Sequence, residues 1–189
     1  GQVTRLDYRG GSLVPQSILE WDSDPIYVTK ESAGSIGGEV AGKFTSAVGA
    51  GWSGVSRGVG AVAAGDTLTY GISLQAVAGS ATEQSLGLYG SATAWGTGGS
   101  TARIVSGPGQ LVQHSGGFWK VTGLSATEET RIEITRTFAQ AETAAAYFYV
   151  DHPGAYRDGQ QLIAGGAWVT KNSTPNGAFR QLTKITPPP

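Results

Sequence analysis

Apolar residues alternate with small or polar residues within Asp66–Val77, the clearest periodic segment of the chain. A period of two residues places successive side chains on opposite faces of an extended strand. One face of this segment is apolar and the other is small or polar. The apolar face consists of Leu68, Tyr70, Ile72, Leu74 and Ala76, and the polar face of Thr67, Thr69, Gly71, Ser73 and Gln75. The pattern predicts a β-strand with one face buried in a core.

The same alternation returns over Arg131–Phe138, where Ile132, Ile134 and Phe138 share one face. Arg136 falls on that face as an exception to the apolar pattern. The segment is predicted to be a second half-buried strand.

A third alternating segment, Thr143–Val150, places Tyr147 and Tyr149 opposite an apolar face. That face consists of Ala146, Phe148 and Val150. Shorter β-rich runs, separated by glycine-containing turns, are Ile26–Lys30, Glu39–Thr45, Gln84–Tyr89, Gly117–Thr122, Gln161–Ile163 and Ala167–Thr170. Because the runs are many and short and almost no stretch is compatible with a helix, the sequence predicts an all-β sandwich or barrel.

The two ends of the chain differ from its middle. The sequence predicts a polar N-terminal arm at residues 1–12, a β-sandwich domain at residues 13–182 and a Pro-rich tail at residues 183–189. The tail ends in ITPPP, which favours an extended polyproline II conformation. Two interpretations of the ends stay open: they are frayed termini or linker stubs, or they are arms that reach neighbouring subunits.

Low charge and a near-neutral balance exclude several classes of function. Charged residues make up 14% of the chain, and 13 Lys and Arg oppose 14 Asp and Glu. No basic excess is available to neutralise phosphates, so nucleic acid is not an expected partner. No apolar run approaches the ~18 residues of a membrane-spanning helix, so membrane insertion is not expected either. A hydrophobic share of 39% predicts a folded domain rather than a disordered one.

Gly65–Ala76, with the sequence GDTLTYGISLQA, resembles the middle strand of jelly-roll domains of the carbohydrate-binding module 4/9 type. In that family an early tryptophan precedes this strand, and Trp21 takes that place here. A later tryptophan corresponds to Trp119, and a closing Gln-Leu strand corresponds to Gly159–Gly165. The resemblance covers roughly residues 12–170.

The resemblance implies a jelly-roll β-sandwich that binds carbohydrate without catalysis. Relatives of this family are common in phage tail and other virion proteins, so the expected location is a virion or the extracellular space. Modules of this family often carry one structural calcium ion, held by carboxylates and carbonyls. Candidate ligands are Asp22, Asp24, Asp151 and Asp158. The segment Asp151–Gly159 departs from the family pattern by lengthening the join before the closing strand.

Catalytic groups are sparse, and the chain is not predicted to be an enzyme. It has no cysteine, which excludes thiol catalysis, zinc–cysteine sites and disulfides. Its two histidines are His114, in a glycine turn, and His152, whose neighbour Asp151 points the opposite way on an extended chain. No serine lies in a G-x-S-x-G turn, and the carboxylates form no pair that sequence alone identifies.

Aromatic residues are the strongest candidates for a binding site. Sugar rings stack on flat aromatic faces, and neighbouring polar groups bind their hydroxyls. Trp52 and Trp95 lie in glycine-rich loops, where each either packs in the core or as a loop anchor, or contacts a partner. Tyr147 and Tyr149 form either a flat binding platform or the second side of an ordinary sandwich strand. Trp21, Trp119 and Trp168 lie on strand-like runs and are assigned to the core.

Three functions are compatible with these features. The first is a non-catalytic module of a phage-like particle or extracellular appendage, which recognises a cell-surface or capsular glycan. The second is a purely structural virion, decoration or fibre subunit, in which the tryptophan loops and both arms contact neighbouring subunits in an oligomer. The third, and the least supported, is a small secreted hydrolase or an accessory domain of an enzyme.

Overall fold

The computed structural model of the protein describes residues 3–7, 12–15, 17–23, 27–47, 53–96, 99–114, 117–150, 159–172 and 181–185. These residues form fourteen β-strands and one 3-10 turn, Ile18–Glu20, and none of their helical segments is long and apolar enough to cross a membrane. The strands are β1 (Val3–Asp7), β2 (Asp22–Ser23), β3 (Val28–Ile36), β4 (Glu39–Ser46), β5 (Gly54–Val62), β6 (Thr67–Ala76), β7 (Gln84–Gly90), β8 (Ser100–Ser106), β9 (Gln110–Gln113), β10 (Trp119–Thr122), β11 (Thr130–Thr137), β12 (Glu142–Tyr149), β13 (Gln161–Lys171) and β14 (Gln181–Ile185).

Twelve of the described strands form two antiparallel sheets, which pack face to face. Sheet I has the order β2-β5-β12-β7-β10-β9, and sheet II has the order β3-β4-β13-β6-β11-β8. Apart from the hairpins β3–β4 and β9–β10, consecutive strands from β2 to β13 lie in opposite sheets. This arrangement is a jelly-roll β-sandwich, and it confirms the predicted fold class.

The core lies between the two sheets and is centred on aromatic rings from both. The Trp21 ring lies 5.9 Å from the Tyr70 ring of sheet II and 5.9 Å from the Phe148 ring of sheet I. Phe44 packs edge-on against Phe148 at 5.1 Å. All four side chains are fully buried. The predicted core position of Trp21 is therefore confirmed, whereas Trp119 is only partly buried and packs at the margin of the core.

The predicted apolar face of β6 points into this core along its whole length. Its opposite face was expected to be exposed, but Gly71 and its neighbours on that face are buried as well. The reason is Trp168, which pairs with Gly71 across β6 and β13 and packs its indole over it. Trp168 is fully buried, as expected, but it lies on the outer face of sheet II rather than between the sheets.

Six described strands were missing from the sequence prediction: β1, β2, β5, β8, β9 and β14. Strand β8 pairs only with β11 and β9 only with β10, so both lie at sheet edges and neither has a fully buried face. The predicted runs Gln161–Ile163 and Ala167–Thr170 belong to one strand, β13, which is interrupted by a bulge between Gly165 and Trp168.

The segments expected to be terminal arms contain paired strands. Strand β1 pairs antiparallel with β14, from Val3 opposite Ile185 to Asp7 opposite Gln181. Next to the predicted boundary, the Leu13 amide donates to the Val169 carbonyl and the Val169 amide donates to the Ser12 hydroxyl. The domain boundaries themselves stay predictions.

We expect Gly71→Ala to destabilise the protein, because a Cβ there would lie 2.5 Å from Cζ2 and Nε1 of Trp168. Overpacking of this kind costs about 1–3 kcal/mol. Gly58→Ala in β5 is the matched control, since a Cβ there has nothing within 4 Å. Urea unfolding of the two variants measures the difference, and equal stabilities would contradict the packing of Trp168 on Gly71.

Candidate functional site

Aromatic side chains gather on the face of sheet I that points away from the core. Strand β12 contributes two of them and β7 one, a fourth precedes β10, and the fifth comes from the loop after β7. We call this group the aromatic patch, and its members are Tyr89, Trp95, Phe118, Tyr147 and Tyr149. Strand alternation explains the outward direction of the tyrosines, because their neighbours Leu88 and Phe148 belong to the core.

Trp95 is the centre of the aromatic patch. Its ring lies 5.3 Å from Tyr147, 5.4 Å from Tyr89 and 5.5 Å from Phe118, in each case edge to face. The Tyr149 ring is 6.1 Å away. Edge-to-face contacts at these distances are favourable, so the five rings form a single packed unit outside the sandwich core.

Two glycines make room for the rings on the sheet surface. A Cβ on Gly87 of β7 would lie 3.1 Å from Cε3 of Trp95 and 3.2 Å from Cβ of Phe118. A Cβ on Gly54 of β5 would lie 3.1 Å from Cε1 of Tyr149. The rings therefore lie close to the backbone of sheet I.

The aromatic patch differs from the flat platform that sequence suggested for Tyr147 and Tyr149. These two rings do share a face and stack at 6.1 Å with 22° between their planes. Tyr149 is only 7% exposed, however, and Trp95 contacts both rings. The surface available to a ligand is therefore formed by the partly exposed rings of Tyr89, Trp95 and Tyr147.

Trp95 is carried by a loop of small residues, Ser91–Gly96, which we call the Trp95 loop. Gly90 and Ala94 exchange two backbone hydrogen bonds of 2.8 Å, which closes the loop tightly. Ala94 has φ of 50° and Gly96 has φ of 65°, so the chain turns through left-handed conformations on both sides of Trp95.

A buried carboxylate and a buried guanidinium contact the Trp95 loop. Glu142 accepts hydrogen bonds from the Ala92 amide at 3.1 Å, the Thr93 amide at 3.2 Å and the Thr93 hydroxyl at 2.9 Å. Arg136 donates from Nη1 to the carbonyls of Leu88 at 2.8 Å and Ala94 at 2.6 Å. Its Nη2 donates to the Thr93 hydroxyl. The loop is thus held through its backbone.

The pKa values of both groups are shifted by this environment. Burial raises the pKa of Glu142, but the hydrogen bonds from Thr93 and Ala92, together with the charge of Arg136, outweigh it and bring the pKa below its ordinary value. Burial lowers the pKa of Arg136, and Glu142 partly opposes that change. The carboxylate is consequently ionised at neutral pH.

The outer face of sheet II has a polar character instead. Arg103 donates from Nε at 3.1 Å and Nη2 at 2.8 Å to one oxygen of Glu133, which is itself buried. Thr101 and Thr135 line a shallow cleft beside this pair. The two faces of the sandwich therefore offer different chemistry, with aromatic rings on sheet I and an ion pair with hydroxyls on sheet II.

Among the remaining candidate residues, only Asp22 lies in the described part of the chain. Trp52, Asp24, Asp151 and Asp158 lie outside the described residues. Asp22 is exposed and lies 4.0 Å from Nη1 of Arg57. Within the described part of the chain, no three acidic, histidine or cysteine side chains are grouped as metal ligands would be. The calcium site stays a prediction.

Tyr89 and Phe118 belong to the aromatic patch although the sequence analysis did not single them out. Tyr89 could have been found, because in the run Gln84–Tyr89 it alternates with Leu86 and Leu88, which point inward. Phe118 lies just before its strand and stacks on His114 at 4.3 Å. It could have been found in the same way, because in the predicted run Gly117–Thr122 it directly precedes Trp119, which packs against the core.

No protein-family model and no curated protein matches the sequence. Among solved structures, the chain is similar to the CBM22-1 xylan-binding domain from Paenibacillus barcinonensis Xyn10C, with 11% sequence identity and a TM-score of 0.45. The similarity covers 92% of this chain and 97% of that one. A similarity of this size carries no argument about a ligand.

We expect Glu142 to contribute to stability in a pH-dependent way. Its folded pKa lies below the ordinary value of 4.5, so its contribution is complete above that pH and is lost as the pH falls through the lowered pKa. Below pH 4.5 the free energy of unfolding should fall more steeply for the parent than for Glu142→Gln. Denaturant unfolding between pH 3 and pH 7 measures both curves, and parallel curves would contradict the assignment.

Proposed function

We propose that this domain is a non-catalytic binding module that recognises a glycan through the aromatic patch of sheet I. The observation that supports this proposal is the position of the rings. Tyr89, Trp95 and Tyr147 are partly exposed on the outside of a sandwich whose core is already complete without them. Aromatic rings held outside the core offer the flat apolar faces on which sugar rings stack.

The surroundings of the aromatic patch supply polar groups for sugar hydroxyls. The phenol groups of Tyr89 and Tyr147 belong to partly exposed side chains, and His114 is also partly exposed beside Phe118. On the same face, Lys120 pairs with Glu83 at 3.4 Å. The net charge of −1 suits an uncharged or weakly charged glycan better than a strongly acidic one.

The proposal extends to the location of the domain, which is a virion or an extracellular appendage. This part of the proposal rests on the resemblance of Gly65–Ala76 and of the closing strand to the jelly-roll domains common in phage tails. In that setting the glycan is a cell-surface or capsular polysaccharide, and neighbouring subunits are further partners. A structural calcium ion belongs to the same proposal.

The second candidate is a structural subunit that makes protein contacts, and one observation favours it. The edge strands β8 and β9 carry Val105 and Val112, which are 42% and 49% exposed. Exposed apolar side chains on unpaired sheet edges are suited to contact another protein chain.

We expect Trp95→Ala and Tyr147→Ala each to weaken glycan binding by roughly 5- to 30-fold, because loss of one stacked ring costs about 1–2 kcal/mol. An array of plant-wall and bacterial capsular oligosaccharides identifies the glycan, and isothermal titration then measures the affinities. Thermal unfolding of each variant verifies that the domain stays folded.

Two control variants separate the faces of the sandwich. Val40→Ala removes an exposed apolar side chain from β4 of sheet II and should leave the affinity unchanged. Glu133→Gln alters the polar cleft of sheet II and should do the same. If Glu133→Gln weakens binding while Trp95→Ala does not, the glycan site lies on sheet II. If the parent binds no oligosaccharide of the array, the structural role is favoured.

A further inference from the structure

Arg136 and Glu142 point into the same end of the sandwich from opposite sheets. Arg136 lies on β11 of sheet II, on the inward face that also carries Ile132 and Ile134. Glu142 begins β12 of sheet I, on the inward face that continues with Ala144. Arg136 is 2% exposed and Glu142 is 9% exposed. Two ionisable groups therefore occupy positions where the strand pattern calls for apolar residues.

The hydrogen bonds of these two side chains end on the Trp95 loop or its base. Arg136 reaches across the sandwich to carbonyls of Leu88 and Ala94. Glu142 accepts from both amides at the tip of the loop, those of Ala92 and Thr93. The Thr93 hydroxyl connects the two groups, since it lies 2.9 Å from each carboxylate oxygen of Glu142 and accepts from Arg136.

Glycines at both ends of the loop allow this close approach. A Cβ on Gly90 would lie 2.6 Å from Cδ of Glu142, and a Cβ on Gly96 would lie 2.6 Å from Cζ of Arg136. Cζ of Arg136 also lies 4.3 Å from the centroid of the Phe138 ring, which is a cation–π contact. The carboxylate, the guanidinium and the two glycines thus form one fitted arrangement around the Trp95 loop.

Two buried charges are a costly way to stabilise a fold, because apolar residues of similar volume often stabilise as well or better. Arg136 and Glu142 form hydrogen bonds with the backbone of the Trp95 loop, which apolar side chains cannot do. Such bonds matter here because the loop has few large side chains that could pack. The loop offers only Ser, Ala and Thr side chains before Trp95. The conformation of the Trp95 loop consequently depends on the hydrogen bonds that Arg136 and Glu142 make with its backbone.

We propose that Arg136 and Glu142, linked through Thr93, are positioning residues that hold the Trp95 loop so that Trp95 lies against Tyr89 and Tyr147. The consequence for glycan affinity rests on the proposed function of the aromatic patch. The position of Trp95 itself does not, so the two can be tested separately.

Thr93→Val tests the connection with little change in side-chain volume, and Thr93→Ser is its matched control because it keeps the hydroxyl. We expect amide hydrogen exchange of Ala92, Thr93, Ala94 and Gly96 to become at least tenfold faster in Thr93→Val and to stay near the parent rate in Thr93→Ser. The Trp95 indole N–H signal, assigned by its loss in Trp95→Phe, should shift in the valine variant alone. The amides of β6 should keep their protection in both variants.

A double variant covers the case in which a single change unfolds the protein. Arg136→Met together with Glu142→Leu removes both buried charges at once, which avoids leaving one unpaired. We expect it to fold and to show the same fast exchange in the Trp95 loop. Exchange at the parent rate in both Thr93→Val and the double variant would overturn the proposal.

Binding measurements distinguish this proposal from the proposed function. For the oligosaccharide that binds the parent most strongly on the array, Thr93→Val should weaken binding at least threefold and Thr93→Ser should not. Fast exchange and a shifted indole signal together with unchanged affinity would support the positioning of Trp95 and overturn its consequence for glycan affinity. If the parent binds no oligosaccharide, the proposed function fails, and the exchange rates together with the Trp95 indole signal still decide whether the network positions Trp95.

Discussion

The contact of Trp21 with Tyr70 on one side and Phe148 on the other connects sheet II to sheet I through aromatic rings. Burial of the two apolar faces against each other is the main favourable contribution to such a fold, and these rings are among its largest fully buried side chains. Because the apolar inward positions of β11 and β12 face this core, the outward positions of the same strands are available to carry binding chemistry. The aromatic patch and the polar cleft both depend on that division.

Local alternation was sufficient to predict the strands that have one face in the core, and the apolar face of β6 lies in the core as expected. It was insufficient for β5 and β8, whose sequences contain glycine or mixed residues on both faces. Those segments become strands because they pair with β12 and β11, which are distant in sequence. The burial of Trp168 could be predicted from its hydrophobicity, but not the side of sheet II on which it lies. The bulge between Gly165 and Trp168 turns the side chain to the outer face of the sheet, and the local pattern does not reveal that bulge.

The candidate site was predictable to the extent that it lies on strands. Alternation placed Tyr147 and Tyr149 on one face, and the glycine-rich context of Trp95 indicated a loop residue. The network beneath the Trp95 loop was not predicted, although one signal pointed to it: Arg136 interrupts an otherwise apolar face of β11. Sequence shows that such a residue needs a partner, but it does not name Thr93 and Glu142, because the partners come from other elements. In this protein, the charged residue that interrupts the apolar face of β11 marks the position from which a buried side chain binds the Trp95 loop.

The position of β13 has a consequence for how the chain folds while it is being synthesised. This strand is the last of the twelve in the sandwich, yet it lies in the middle of sheet II between β4 and β6. Until Gln161–Lys171 has left the ribosome, the hairpin of β3 and β4 cannot join β6, β11 and β8, and two sheet edges stay unpaired. Sheets closed by such distant strands form slowly, and exposed edges favour aggregation of the incomplete chain. Completion of the sandwich is thus a late event that coincides with the arrival of a single central strand.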